Sequence, residues 1–529
     1  MNKGRDIYSS EVAPFGNPDG SRAELADVLR KFVDFQGEAA WGGLATRNDD
    51  LSARVIVGRK GSGKTVYLRR LQAGAADEES LYADSIQQGL PTTNEVVKFC
   101  QWFPKDVLTE QWMLLWNRAI IRSLVSHILQ AKELREHVSE DDLAKFERYY
   151  KTIIREVDEV VSIYSQVSEI INSNNSARQV DNYLRDPHWT ELEALVGRVV
   201  KNCPPVCFYI DAVDEEFAHA PMYWLRCQKG LFYQTMRFLR DSKLGGRVHI
   251  VICVRELVIS SVYQSEHMTR YLGEPHIRLL KWNKDSVLYF LERKVEMLAR
   301  EYFAKPNAEK SVENWLGYDY IENTHYDMRE PIDQYIMRHT RLLPRDIVII
   351  GNMLCEKYQE NMVTGKGVLS QQDIRDVVAR AAAHFGNEQL RICASQLASN
   401  SMPPHAAQQS FSEFYTGNRE YARTIEDDLK KIIMSIGKDR FTKNDLTKAE
   451  ELSKEILGNG SDPFSVLWQN GMLGYLADEN EGEKYVFYSE DMMLEFKLPR
   501  YKGKYVFHPC MVDSVGLKGA GNEPITPCR

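Results

Sequence analysis

The sequence predicts an α/β fold: a parallel β-sheet wrapped by helices, with a helical segment and a smaller mixed domain after it. Three observations carry this. Val206–Ile210 and Val248–Val254 are continuous apolar runs bounded by polar residues, which suits strands buried on both faces of a parallel sheet. Helical periodicity separates those runs, the alternation expected of an α/β domain. Ala53–Val57, a third β-rich run, breaks directly into a glycine-rich segment and then a helical pattern.

The 529 residues predict about three to four domains. With 43% hydrophobic and 27% charged residues and a net charge of −8, the composition is that of a soluble globular protein, not a disordered or fibrous one. Nine scattered cysteines without a CxxC pair argue against a disulfide scaffold or a tetrahedral zinc site and for a reducing compartment. The opening MNKGRDIYSSEV has no apolar signal region, and no apolar run approaches the roughly 20 residues needed to span a bilayer. The expectation is a cytoplasmic protein without a membrane anchor.

Residues 1–52 read as an N-terminal arm. Phe15–Gly20 has turn chemistry, and Ala23–Phe35 places Leu25, Val28, Leu29, Phe32 and Val33 at helical spacing. Residues 53–282 form the expected α/β core. Within it Ser80–Ser85 reads as a second strand, His276–Leu280 as a further one, and about 104–200 as a long helical insertion with a loop at Ser173–Arg178. The insertion's Leu108, Trp112, Leu115, Trp116, Ile120 and Leu124 suit either a core or a partner surface. Residues 283–400 read as helical. After the break at Met402–Pro404, residues 401–529 read as helices over Asp427–Ile436, Asp445–Leu457 and Asp462–Gly471, then strands at Lys484–Tyr488 and Lys504–His508. Helices followed by a β-hairpin is the order of a winged helix.

Gly58-Arg59-Lys60-Gly61-Ser62-Gly63-Lys64-Thr65 fits GxxxxGK[ST] in full. Glycines let successive backbone N–H groups turn inward around an anion, and the loop ends at a helix N-terminus whose dipole favours phosphate. Gly58, Arg59, Lys60, Gly61, Ser62, Gly63, Lys64, Thr65 and the following Val66 are therefore the expected nucleotide-binding residues. Lys64 is aimed at the β- and γ-phosphates, and the Thr65 hydroxyl at Mg²⁺. The loop predicts a nucleoside triphosphate ligand.

Such a site needs an Asp at the end of a buried strand to hold the magnesium. Val206–Ile210 runs into Asp211, and Asp214 and Glu215 follow. Both qualify as the general base that polarises the attacking water. Three arginines are candidates for contact with the triphosphate. Arg255 ends the Val248–Val254 run, Arg270 lies between that run and the next strand, and Arg345 opens a helix in Leu343-Pro344-Arg345-Asp346. Asp84, after the second strand, reads as structural.

Together GRKGSGKT (Gly58–Thr65), CFYIDAVDE (Cys207–Glu215), Arg255 and LLPRD (Leu342–Asp346) resemble the AAA+ and STAND branch of P-loop ATPases. Pro14–Gly16 and Phe507–Pro509 are similar to motifs in a bacterial group of stand-alone P-loop ATPases, some of which occur in phage-defence loci. The resemblance implies a P-loop core with a helical lid and a C-terminal winged helix, and Mg²⁺-dependent ATP hydrolysis. It also implies a nucleotide switch that acts through oligomerisation or a partner effector. Two positions depart from the pattern: Ala212 stands where AAA+ proteins place the base, and Leu342 where STAND proteins place a glycine.

The alternative is an initiator-like ATPase that loads onto or moves along DNA. The third C-terminal helix has no Lys or Arg, and residues 401–529 carry about 16 basic and 20 acidic side chains. DNA affinity comes largely from phosphate neutralisation, so a protein-contact role is favoured for this domain. A nucleotide-binding scaffold without turnover is the third reading.

Overall fold

The computed structural model describes residues 13–33, 53–76, 81–87, 91–104, 106–149, 159–211, 221–240, 242–244, 246–263, 265, 268–323, 327–401, 411–477, 484–488, 497–520 and 524–525. The chain divides into two compact units. One comprises Gln36–Arg59 and Tyr67–Leu280; the other comprises Met1–Phe35, Lys60–Val66 and Lys281–Arg529.

The first unit is built on a five-stranded sheet. Its strands β1 (Ala53–Val57), β2 (Tyr82–Gln87), β3 (Val206–Asp211), β4 (Val248–Val254) and β5 (Ile277–Leu279) lie in the order β2-β3-β4-β1-β5. Every pairing is parallel. Parallel neighbours require long crossovers, and helices supply them. Lys64–Ala76 leads from β1 toward β2, and Pro221–Leu239 lies between β3 and β4. β3 is buried along its whole length and β4 everywhere except His249, which is why both read as unbroken apolar runs.

Between β2 and β3 come the helices Thr93–Trp102, Leu108–Gln130, Lys132–Arg135, Glu140–Tyr149, Ile163–Asn172, Ala177–Leu184 and His188–Val199. Leu108, Trp112, Leu115, Trp116, Ile120 and Leu124 are all buried, so these positions are core and not a partner surface. Leu108–Gln130 also turns three polar side chains inward onto partners. Arg118 Nε donates to the Leu184 carbonyl at 2.9 Å, Arg122 Nη2 pairs with Glu169 at 2.7 Å, and Trp116 Nε1 donates to the Cys227 carbonyl at 3.0 Å.

The second strand lies two residues later than the sequence suggests, and its register shifts between Ala83 and Ile86. Asp84 sits at that irregularity. Its carboxylate accepts from Ser85 N at 2.8 Å and from Gln87 Nε2, and lies 3.1 Å from His127 Nε2. These contacts occupy the side chain and fit the structural role expected for it.

The second unit holds helices Leu25–Arg30, Lys284–Met297, Ile332–Arg338, Pro344–Val363, Gln371–Ser401 and Phe411–Ile436. One antiparallel hairpin interrupts them, β6 (Tyr320–Asn323) with β7 (Met328–Pro331). The expectation of an all-helical stretch there missed this hairpin, because four-residue strands leave too short a pattern to separate from a 3.6-residue period. Toward the C-terminus lie helices Lys443–Leu457, Pro463–Gln469 and Pro509–Val515. With them is an antiparallel sheet of β8 (Arg440–Thr442), β9 (Leu473–Leu476), β10 (Tyr485–Phe487) and β11 (Lys504–Phe507), ordered β10-β9-β11-β8. β8 and β9 are additional to the two strands expected.

A continuous hydrophobic core joins the second unit, from Phe15 through Trp282, Trp315, Leu354, Phe385, Leu429 and Trp468 to Leu517. This core includes residues on both sides of position 400, and the break between the units falls between Leu280 and Lys281. Among the described residues no helix is long and apolar enough to cross a membrane, and the eight described cysteines are buried and form no disulfide with one another.

Candidate functional site

At the carboxyl edge of the parallel sheet, register alone brings several chemistry-bearing residues to one level. Val57, the last residue of β1, pairs with Val254, the last of β4; Asp211, the last of β3, pairs with Cys253. Gly58, Arg59, Asp211 and Arg255 therefore all lie at or just beyond the same edge. The chain order reverses here too: after β1 it crosses to β2, returns through β3 and β4, and places β5 on the other side of β1. Ligands of open α/β sheets bind outside the carboxyl ends of strands at such a switch point.

Asp211 is 9% exposed, and its backbone carbonyl accepts a 2.8 Å hydrogen bond from the Tyr164 hydroxyl. Burial first, then the nearby Asp211 charge, pushes the Tyr164 phenol well above its ordinary value, so it remains a donor at neutral pH. Tyr164 is the second residue of the insertion helix Ile163–Asn172, whose first N–H, from Ile163, donates to Gln87 Oε1 at 2.7 Å. The insertion is thus fastened to the ends of both β2 and β3. Arg59 Nε pairs at 3.2 Å with Glu256, the residue that follows Arg255. Arg270 lies in the short helix Met268–Tyr271, is exposed, and has its guanidinium 5.9 Å from the Tyr271 ring centroid. Asp214 and Glu215 lie outside the described residues.

Lys60–Val66 belongs to the second unit. Gly61 has φ +90° and Gly63 φ +93°, the left-handed region that side chains other than glycine rarely adopt. Their spacing matches the loop's inward turn, and the helix starts at Lys64. Three contacts fix the loop in this unit, and Gly20 packs too closely on it to carry a side chain. The Gly61 carbonyl accepts from Arg345 N at 3.3 Å, and the Ser62 carbonyl accepts from Trp282 Nε1 at 2.9 Å. Lys60 Nζ pairs with Glu388 at 3.0 Å, and a Cβ at Gly20 would lie 2.7 Å from Val66 Cγ2. The Ser62 hydroxyl is buried and has no hydrogen-bond partner among the described residues.

The LLPRD segment is held from below. Arg341 Nε and Nη2 form a paired contact with the Asp346 carboxylate at 3.0 and 2.7 Å, with both residues buried. Arg341 Nη1 also reaches Gln389 at 3.1 Å and Glu388 at 3.2 Å. Leu342, where a glycine would be at ease, has φ +53° and is nonetheless fully packed. Burial of its side chain, worth about 1.5–3 kcal/mol, offsets a left-handed backbone that costs about 1–2 kcal/mol. Arg345 follows at the first turn of Pro344–Val363, with Nε donating to the Pro18 carbonyl at 3.1 Å.

Of the residues expected from sequence, Gly58, Arg59, Asp211 and Arg255 come together in the first unit. Lys60, Gly61, Ser62, Gly63, Lys64, Thr65, Val66 and Arg345 come together in the second. Sequence reasoning missed Tyr164, Trp282, Arg341 and Glu388. Glu388 sits inside a long helix in an unremarkable Gly-Asn-Glu-Gln run, and no local signal marks it. Arg341 had one, since it adjoins the LLPRD segment.

No protein-family model matches the chain, and no curated protein matches it in sequence.

Proposed function

We propose that the chain binds ATP with Mg²⁺ and hydrolyses it, as a molecular switch of STAND or AAA+ type whose nucleotide state controls self-assembly or a partner effector. The observation that carries this reading is the loop between β1 and the helix starting at Lys64. Its two left-handed glycines suit a backbone that turns N–H groups toward an anion, and its Ser62 hydroxyl is buried without a partner among the described residues. The available donors also fit the metal: a Thr65 hydroxyl and an Asp211 carboxylate are hard oxygen ligands, and Mg²⁺ in phosphate sites takes only one or two of these from the protein. When bound, Mg²⁺ would neutralise charge building on the phosphate oxygens.

In this reading Lys64 neutralises the β- and γ-phosphates, and Gly58–Val66 orient them through backbone N–H groups. Asp214 or Glu215 takes the proton from the attacking water. Arg255, Arg345 and, from a neighbouring subunit, Arg270 stabilise the negative charge that develops as the terminal phosphoryl group leaves. The winged-helix reading of residues 401–529 and the lid reading of 283–400 belong to the same proposal.

One observation weighs against the DNA-loading alternative. Pro463, Phe464, Ser465, Val466, Leu467 and Trp468 of the third C-terminal helix are all buried, so that helix has no face to offer a groove. A role in phage defence rests on motif resemblance alone.

The test is phosphate release from purified protein with ATP and Mg²⁺, beside Lys64→Ala. Turnover that the variant lacks supports the ATPase. No turnover but tightly held ADP or ATP supports a locked switch. Neither turnover nor bound nucleotide refutes the central reading.

A further inference from the structure

Glu388 faces the nucleotide-binding loop with a charge opposite to the one expected there. Its carboxylate pairs with Lys60 of the loop at 3.0 Å through Oε1 and with Arg341 at 3.2 Å through Oε2. Arg345, whose backbone N–H is bonded to the same loop, also acts on it electrostatically. Three cations thus surround one carboxylate beside a loop whose ligand is itself an anion. Arg341 does not need Glu388 for neutralisation, because Asp346 already pairs with it in a fully buried contact. Lys60 has only Glu388 as an ion-pair partner among the described residues.

We infer that Glu388 is the residue that sets nucleotide affinity, an internal anion that competes with the ligand's phosphates for Lys60. The inference rests on the nucleotide reading of the loop. The carboxylate acts in two ways. It holds the Lys60 ammonium in an ion pair that must be given up or shared when phosphate binds, and it adds a negative charge beside a polyanion. Burial alone would raise the Glu388 pKa, but Arg341 and Lys60 together hold it down at about 2. It stays ionised at every pH at which a nucleotide would be assayed, so the competition is permanent, not pH-gated.

The experiment measures the dissociation constants of ATP and of a ribose-labelled fluorescent ADP for the full chain, with Mg²⁺. Wild type, Glu388→Gln, Lys60→Ala and the double variant are compared at two salt concentrations. Glu388→Gln keeps the side-chain shape and removes the charge. It should tighten ATP by about two- to five-fold, the range of a partly exposed charge contact. ADP, with less charge, should gain less, and the gain should shrink as salt rises. In the Lys60→Ala background most of the gain should vanish. A merely structural contact would produce none of this charge and salt dependence. If Glu388→Gln does not fold, Glu388→Asp, which withdraws the carboxylate by one methylene, should give a smaller gain of the same sign.

Glu388→Gln binding ATP as wild type does, or equal gains with and without Lys60, overturns the inference while leaving the nucleotide site standing. Wild type binding neither nucleotide, and behaving like Lys64→Ala, overturns the site and this inference together.

Discussion

Replacing Gly351 by alanine should destabilise the second unit, although alanine is the better helix former. Gly351 lies inside the helix Pro344–Val363, where exchange for alanine is ordinarily worth about 1 kcal/mol in favour of alanine. Here a Cβ would lie 2.4 Å from Phe15 Cδ1 and Cγ and 2.6 Å from Cε1, well inside contact distance. The ring has nowhere to withdraw. It is 0% exposed, packs 5.1 Å from the Trp315 ring centroid, and its backbone is pinned by Phe15 N donating to Asn352 Oδ1 and Asn352 Nδ2 donating to the Gly16 carbonyl, each at 2.9 Å. Expelling it forfeits about 3–5 kcal/mol, the usual cost of losing a buried phenylalanine. Setting the helix gain against this leaves a net loss of about 2–4 kcal/mol.

The sign should reverse once the ring is gone. In a Phe15→Ala background the new methyl meets empty space, so Gly351→Ala should stabilise by about 1 kcal/mol. Denaturant unfolding of the four proteins, followed by hydrogen exchange of the Phe15–Gly20 amides, measures both effects. Exchange isolates the arm from the sheet unit, whose unfolding need not coincide with it. The same loss by Gly351→Ala in both backgrounds, or a loss under about 1 kcal/mol in wild type, would refute the packing argument. The arm also touches a residue of the proposed site, since the Pro18 carbonyl accepts from Arg345 Nε, so on the proposed reading the destabilised variant should bind nucleotide more weakly.

Three further outcomes are expected. Tyr164→Phe removes a side-chain donor to the Asp211 carbonyl, so it should cost about 1–2 kcal/mol and, on the proposed ATPase reading, raise the Mg²⁺ concentration needed for half-maximal turnover; a magnesium titration checks this. Asp346→Asn strips the buried Arg341 of its paired carboxylate and should lower stability by about 3–5 kcal/mol in thermal unfolding. Lys294, whose pKa burial and then Lys31 lower to about 7, binds its proton more weakly folded than unfolded. Stability should therefore rise with pH from about 7 toward 10.5, by up to about 1.4 kcal/mol per unit, and unfolding of Lys294→Met across that range should show this slope abolished.

How much of this was legible in the chain depended on how local the signal was. The fully buried strands β3 and β4 announced themselves as apolar runs, because a strand covered on both faces has no polar alternation to dilute it. GRKGSGKT was equally plain: the left-handed turns at Gly61 and Gly63 demand glycine, so the backbone conformation is written into residue type. Asp211 followed from its place at a strand end. The hairpin β6–β7 and the short strands β8 and β9 were not legible, since three or four residues cannot set a period apart.

By itself, then, the sequence determined the α/β class, the glycine-rich turn after β1 and the strand that ends in Asp211, all of which are encoded within a few consecutive residues. Tertiary structure decided the rest. Only the strand order brings Gly58, Arg59, Asp211 and Arg255 to one sheet edge. Only helix packing brings Glu388 within 3.0 Å of a lysine more than 300 residues earlier, and seats Phe15 against Gly351. Such pairings depend on distance in space, and a residue's neighbours in the chain carry no record of it.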